Sequence, residues 1–150
     1  MNLLGHSLRD RVSGFVGVGV AYCQNLAGFE QYCIKPPLKA DGTLAESAWI
    51  DTCQLEDLGA EIEPGTPEIN QFKLGETLRE KTSGAVGTVV SINTHLNGCV
   101  RLEIAIPLRK KDAKPQVWYW DHKSFERLPE SKPAAVKVGT HGGPHDWMAR

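Results

Sequence analysis

The chain has 150 residues, 41% of them hydrophobic and 23% charged, with a formal net charge of −1. These values match ordinary globular proteins and exclude a collagen-like, coiled-coil or wholly disordered chain. The near-neutral balance excludes a global electrostatic drive towards nucleic acid or an anionic membrane. With no long apolar run and an uncharged start, Met1-Asn2-Leu3-Leu4-Gly5-His6, neither a transmembrane helix nor a signal peptide is expected.

In chain order, a charged strand is predicted over Ser7 to Ser13. Gly14 bends the chain into a second strand, where Val16, Val18, Val20 and Tyr22 alternate with Gly17, Gly19 and Ala21 at the period of two that marks a strand. A turn follows at Ala27-Gly28, then a third strand carrying Tyr32 and Ile34. A loop leads to the aromatic strand Ala48-Trp49-Ile50-Asp51. Gln54 to Leu58 closes the unit as a helical turn or a last strand.

The same series then returns 70 residues later. Leu74-Gly75 opens the second unit, Thr77 to Ser83 repeats the charged strand, and Val86, Thr88, Val90 and Ile92 repeat the alternation. Asn97-Gly98 replaces Ala27-Gly28 as a hairpin signal. Val100, Leu102, Ile104 and Ile106 form the third strand, and Trp118-Tyr119-Trp120-Asp121 the aromatic one. Between residues 4–58 and 74–128, 17 of 55 ungapped pairs are identical, against about three or four expected by chance from average composition. This is an internal duplication. Residues 1–58 and 74–128 are expected to be two domains, 59–73 a Pro/Gly-rich linker lying on the surface, and 129–150 an extended tail. A unit of this size is near the lower limit for an independent core, so the copies are expected to pack together or the chain to oligomerise.

Four or five short strands with recurring bends, Gly14, Gly17 and Gly28 against Gly84, Gly87 and Gly98, predict an all-β chain of two small closed barrels. The charged strand, the Ser-Gly-x-x-Gly segment and the valine run are similar to the opening of SH3-like barrels of the KOW type. Ser83-Gly84-Ala85-Val86-Gly87, Leu96-Asn97-Gly98-Cys99-Val100, Trp120-Asp121 and the Gly-Gly-Pro tail resemble small proteins encoded by tailed phages and prophages. That resemblance implies viral origin, and a place in the bacterial host's cytoplasm or in the virion, but no mechanism. The second copy is a departure from it.

No catalytic constellation emerges. The glycine-rich stretch Gly14 to Gly19 lacks the Lys-Ser or Lys-Thr of a phosphate-binding loop, and no Gly-x-Ser-x-Gly elbow is present. No histidine is matched between copies, and Cys23, Cys33, Cys53 and Cys99 have neither zinc-ligand spacing nor counterparts. They read as small buried residues, with a Cys23–Cys33 disulfide across a hairpin left open. The matched polar pairs Arg9/Arg79, Ser13/Ser83, Asp51/Asp121 and Glu56/Glu126 read as structural, with Arg9 expected to meet Asp51. No metal and no cofactor is expected, and the protein is expected not to be an enzyme.

Charge divides unevenly: residues 4–58 carry a net −3 and residues 74–128 a net +3. Much of the excess sits in one loop, Arg109, Lys110, Lys111 and Lys114, followed by Trp118 and Trp120. These six residues form the candidate binding loop. Trp147 and Met148 form a candidate interaction tail. The function expected first is protein–protein interaction, with another protein or with self in a head-to-tail or tail-mediated contact, as a virion or assembly component or an inhibitor of a host factor. The alternative is binding of nucleic acid by charge and stacking, or sequestration of a small nucleotide ligand in a pocket between the copies.

Overall fold

A computed structural model describes residues 2–111 and 113–129. The candidate tail with Trp147 and Met148 lies outside the described residues. Ten strands form in chain order: β1 (His6–Asp10), β2 (Val16–Asn25), β3 (Glu30–Lys35), β4 (Ala48–Asp51), β5 (Leu55–Ala60), β6 (Thr77–Glu80), β7 (Val86–His95), β8 (Val100–Ile106), β9 (Gln116–Asp121) and β10 (Phe125–Arg127). Single 3-10 turns, Thr52–Gln54 and His122–Ser124, precede β5 and β10. All ten strands join in one antiparallel sheet.

Local chemistry sets the strand ends. The opening strand stops at Asp10, short of the expected Ser13, because the Asp10 carboxylate closes a turn: it accepts from the Val12 and Ser13 amides and the Ser13 hydroxyl. Glu80 does the same with Thr82 and Ser83. Gly14 and Gly84 then take φ of 80° and 76°, which a side chain resists. The Asn97-Gly98 hairpin departs from the expected two-residue turn. Only Gly98 has positive φ, and the Asn97 side chain accepts from the Cys99 amide. The loop is therefore a turn followed by a glycine bulge.

Pairing in the first half runs β4-β3-β2-β1-β5 and in the second β9-β8-β7-β6-β10. Registers correspond: Arg9 faces Val16 and Glu56, while Arg79 faces Val86 and Glu126. Two expectations are corrected here. The halves are not closed barrels, since among the described residues no ladder joins β4 to β5 or β9 to β10. The 3-10 turns carry the chain away from the short aromatic strands before it pairs again. Nor is Asp51 the partner of Arg9. Arg9 binds Glu56 at 2.6 Å, Arg79 binds Glu126 at 3.0 Å, and Asp51 accepts from Gln31 at 2.9 Å.

The halves merge through β2 and β7. Ala21 faces His95, Cys23 faces Asn93 and Asn25 faces Ser91. Cys23 thus lies opposite the residue 70 positions on, so a local two-fold axis passes between these two residues. Reciprocal bonds flank it, from the Leu26 amide to the Val90 carbonyl and from the Leu96 amide to the Val20 carbonyl. A six-stranded run, β4-β3-β2-β7-β8-β9, results.

Bulges at Val20 and Val90 switch the faces of β2 and β7. Before each bulge the buried positions are Gly17 and Gly19, or Gly87 and Val89; after it the inward residues are Tyr22 and Ile92. A Cβ on Gly17 would stand 2.5 Å from the Lys35 carbonyl oxygen, and one on Gly87 2.6 Å from that of Ala105. Only glycine allows that approach. Each half has its own core on one side of the sheet: Leu4, Leu8, Tyr32, Ile34, Ile50 and Leu55, against Leu78, Val89, Leu102, Ile104 and Phe125. The connecting segment is bound to both halves: the Ile62 amide donates to Gly5, Gly65 to Leu96 and Glu68 to Gly98.

Candidate functional site

The bulges have a second consequence. By turning β2 and β7 over, they send Cys23, Asn25, Ser91, Asn93 and His95 to the face opposite the cores, where the sheet junction runs. There they floor a cleft of about 500 Å³, within the common range for small-molecule sites. Trp49 of β4 and Tyr119 of β9, residues 70 positions apart, wall it from the two edges of the six-stranded run, with Phe29 at the β2–β3 turn. The rings remain accessible: Trp49 is 45% and Phe29 43% exposed.

The floor is polar yet buried. Ser91 is 2% and Asn93 4% exposed, and Asn93 Nδ2 donates to Ser91 Oγ at 2.9 Å. Burial pushes the Cys23 thiol up, with the Ser91 hydroxyl opposing. The thiol is therefore held protonated and is a poor nucleophile. His95 Nε2 and Tyr119 Oη share a hydrogen bond of 2.7 Å. Burial, then the Arg101 guanidinium, lowers the His95 pKa from its ordinary 6.5, so the ring is neutral at pH 7. Burial raises the Tyr119 phenol. Arg101 lies over the Tyr119 ring at 5.7 Å and braces that wall. Glu103 is the one acidic side chain among the described lining residues. It stands between Ser91 and Tyr119 in the ladder and makes no ion pair with a described residue.

The residues singled out in the sequence are not gathered here. Arg109, Lys110, Lys111 and Lys114 are exposed on the β8–β9 loop. Trp118 and Trp120, their tilted rings 5.9 Å apart, lie on the side of β9 that faces Ile104 and Leu102, away from the cleft. Trp118 packs against the second core, whereas Trp120 is 48% exposed. The structure thus separates the loop's basic tip from Trp120, which sits near the other end of β9. Cys23 and Cys33 are free thiols; Cys23 faces Gln31 and Cys33 faces Ala21, so they are not cross-strand partners. The duplication does not mark the cleft floor, because Cys23, Asn25, Ser91, Asn93, His95 and Glu103 each differ from the residue 70 positions away. Trp49/Tyr119, the one matched aromatic pair of the aromatic strand, was the available signal.

A second cluster, Glu68, Asp121 and His122, brings its ligand atoms within 4.8 Å of one another. Glu68 is already engaged by His122 at 2.8 Å and by the Lys123 ammonium at 3.2 Å. The cluster is an ion-paired clip that fastens the connecting segment to the second 3-10 turn, and its lysine opposes a cation. Comparison with protein-family models, curated proteins and solved structures returns no match.

Proposed function

We propose that the protein is a non-catalytic binding protein whose junction cleft takes a small ligand with a flat heteroaromatic ring, of nucleobase or nucleoside type. The observation that carries this is the composition of the cleft: aromatic walls for stacking over a buried floor of hydroxyl and amide groups for orientation. The neutral histidine, the protonated thiol and the hydrogen-bonded tyrosine suit recognition better than proton transfer. Titration calorimetry with the four common ribonucleosides tests the assignment. At least one is expected to bind, and a Trp49→Ala/Tyr119→Ala double variant that still melts cooperatively is expected to lose that binding at least tenfold. Absence of binding by all four, or binding that survives the double variant, contradicts it.

We propose further that the halves descend from one ancestral unit and that each is an SH3-like barrel left open between its fourth and fifth strands. The matched registers and the 3-10 turn ahead of each fifth strand support this. A phage-encoded origin, acting in the host cytoplasm or the virion, belongs to the same proposal and rests on the sequence motifs. A second functional reading is protein–protein contact at β9. Its outer edge is unpaired in the described sheet, and Val117 and Trp120 are about half exposed there. Light scattering at a mass above the monomer, returned to monomer by Val117→Lys, would support it.

A further inference from the structure

From the acceptor groups of the cleft we infer that the ring it takes is guanine-type, presenting two adjacent N–H donors to the Glu103 carboxylate; this rests on the ligand-binding role proposed above. Glu103 belongs to the second half alone, since the corresponding position of the first half is Cys33. It therefore breaks the local two-fold symmetry of the cleft and gives it one chemically distinct end. The residue is half-buried, stands between Ser91 and Tyr119 in the ladder, and has no cation within ion-pair distance among the described residues. Arg101, the nearest basic side chain on that face of β8, is engaged over the Tyr119 ring.

An ionised carboxylate only accepts, and it accepts best from two parallel N–H groups. Guanine offers such a pair in N1–H and the 2-amino group. Adenine and cytosine place a ring-nitrogen lone pair beside their amino group, which a carboxylate repels, and uracil has a single N–H between two carbonyls. Stacking on Tyr119 or Trp49 is open to any flat ring, so the walls supply affinity and Glu103 supplies the choice. Asn93, which gives one Nδ2 proton to Ser91, has a carboxamide oxygen suited to a further donor.

The test is calorimetry of the full chain with guanosine, adenosine and inosine, repeated with Glu103→Gln. Guanosine is expected to bind at least tenfold more tightly than adenosine, because hydrogen bonds to a charged group discriminate strongly. Inosine, without the 2-amino group, is expected to lose most of that margin. Glu103→Gln is expected to weaken guanosine at least tenfold and to strengthen adenosine, whose ring-nitrogen lone pair the neutral carboxamide no longer repels; cooperative thermal melting shows that the variant is folded, and parallel weakening of both nucleosides overturns the guanine assignment. Guanosine 5′-monophosphate distinguishes nucleoside from nucleotide as the source: tighter binding identifies the nucleotide, and equal or weaker binding the nucleoside. Equal affinities for guanosine and adenosine, with both lost in the Trp49/Tyr119 double variant, overturn the guanine assignment and leave the cleft's binding role standing. No binding by any nucleoside overturns both.

Discussion

Glu80 is 2% exposed, yet three donors hold it in the ionised form, the Ser83 hydroxyl and amide and the Thr82 amide. They depress its pKa from the ordinary 4.5 to about 2. Asp10, in the matching turn, is lowered chiefly by the Ser13 hydroxyl. A carboxylate depressed in the folded state leaves the unfolded chain binding more protons in between, so stability rises with pH through that window. The contribution of Glu80 is present above about pH 4.5 and is lost as pH falls towards about 2. Melting temperature measured against pH is expected to fall across this range, and Glu80→Gln to melt lower at pH 7 with a flatter acid slope. Parallel slopes for the two proteins contradict the assignment. The recurring Ser-Gly and its bend were readable in the sequence, being local. The role of the acid three residues before the serine was not, because Asp10 and Glu80 also satisfy the pattern of a charged, exposed strand.

Strand positions were likewise legible. β3, β4 and β8 coincide with their alternation, and Gln54 to Leu58, expected as a helical turn or a last strand, is the strand β5 from Leu55 onward, with a 3-10 turn ending at Gln54. Face assignment was not, since a bulge adds one residue without leaving a compositional mark. The two-fold junction was hidden for a related reason: pairing of β2 with β7 depends on an unoccupied strand edge, and alternation records faces, not edges. That junction couples the halves unequally. Leu96 of the second half packs against the core of the first, whereas Leu26, its counterpart, is 49% exposed. Leu96→Ala is expected to cost about 1–3 kcal/mol and Leu26→Ala less than about 1 kcal/mol, in proportion to the apolar surface each loses. Urea unfolding of both variants checks this, and equal losses would argue against the asymmetry. The exposed Arg9–Glu56 and Arg79–Glu126 pairs set register at the β1–β5 and β6–β10 ladders and add little, up to about 1 kcal/mol each.

Taken whole, the molecule builds two similar halves around a shared sheet and then makes their common face unequal. The charge difference between the halves was visible in the sequence, as was a pocket between copies as one alternative. The charges of the basic loop are contiguous and so legible in the sequence, whereas Trp49, Ser91, Asn93, Glu103 and Tyr119 are dispersed in the chain and are united only by the β2–β7 pairing. The most direct test of the central claim is an amide NMR titration of the full chain with the ribonucleoside that calorimetry ranks first, or with guanosine at millimolar concentration. Saturable shifts centred on Trp49, Ser91, Asn93, His95, Glu103 and Tyr119, with the Arg109 to Lys114 loop unchanged, are the predicted result. A spectrum in which those six amides stay fixed, or in which only the basic loop responds, would contradict it.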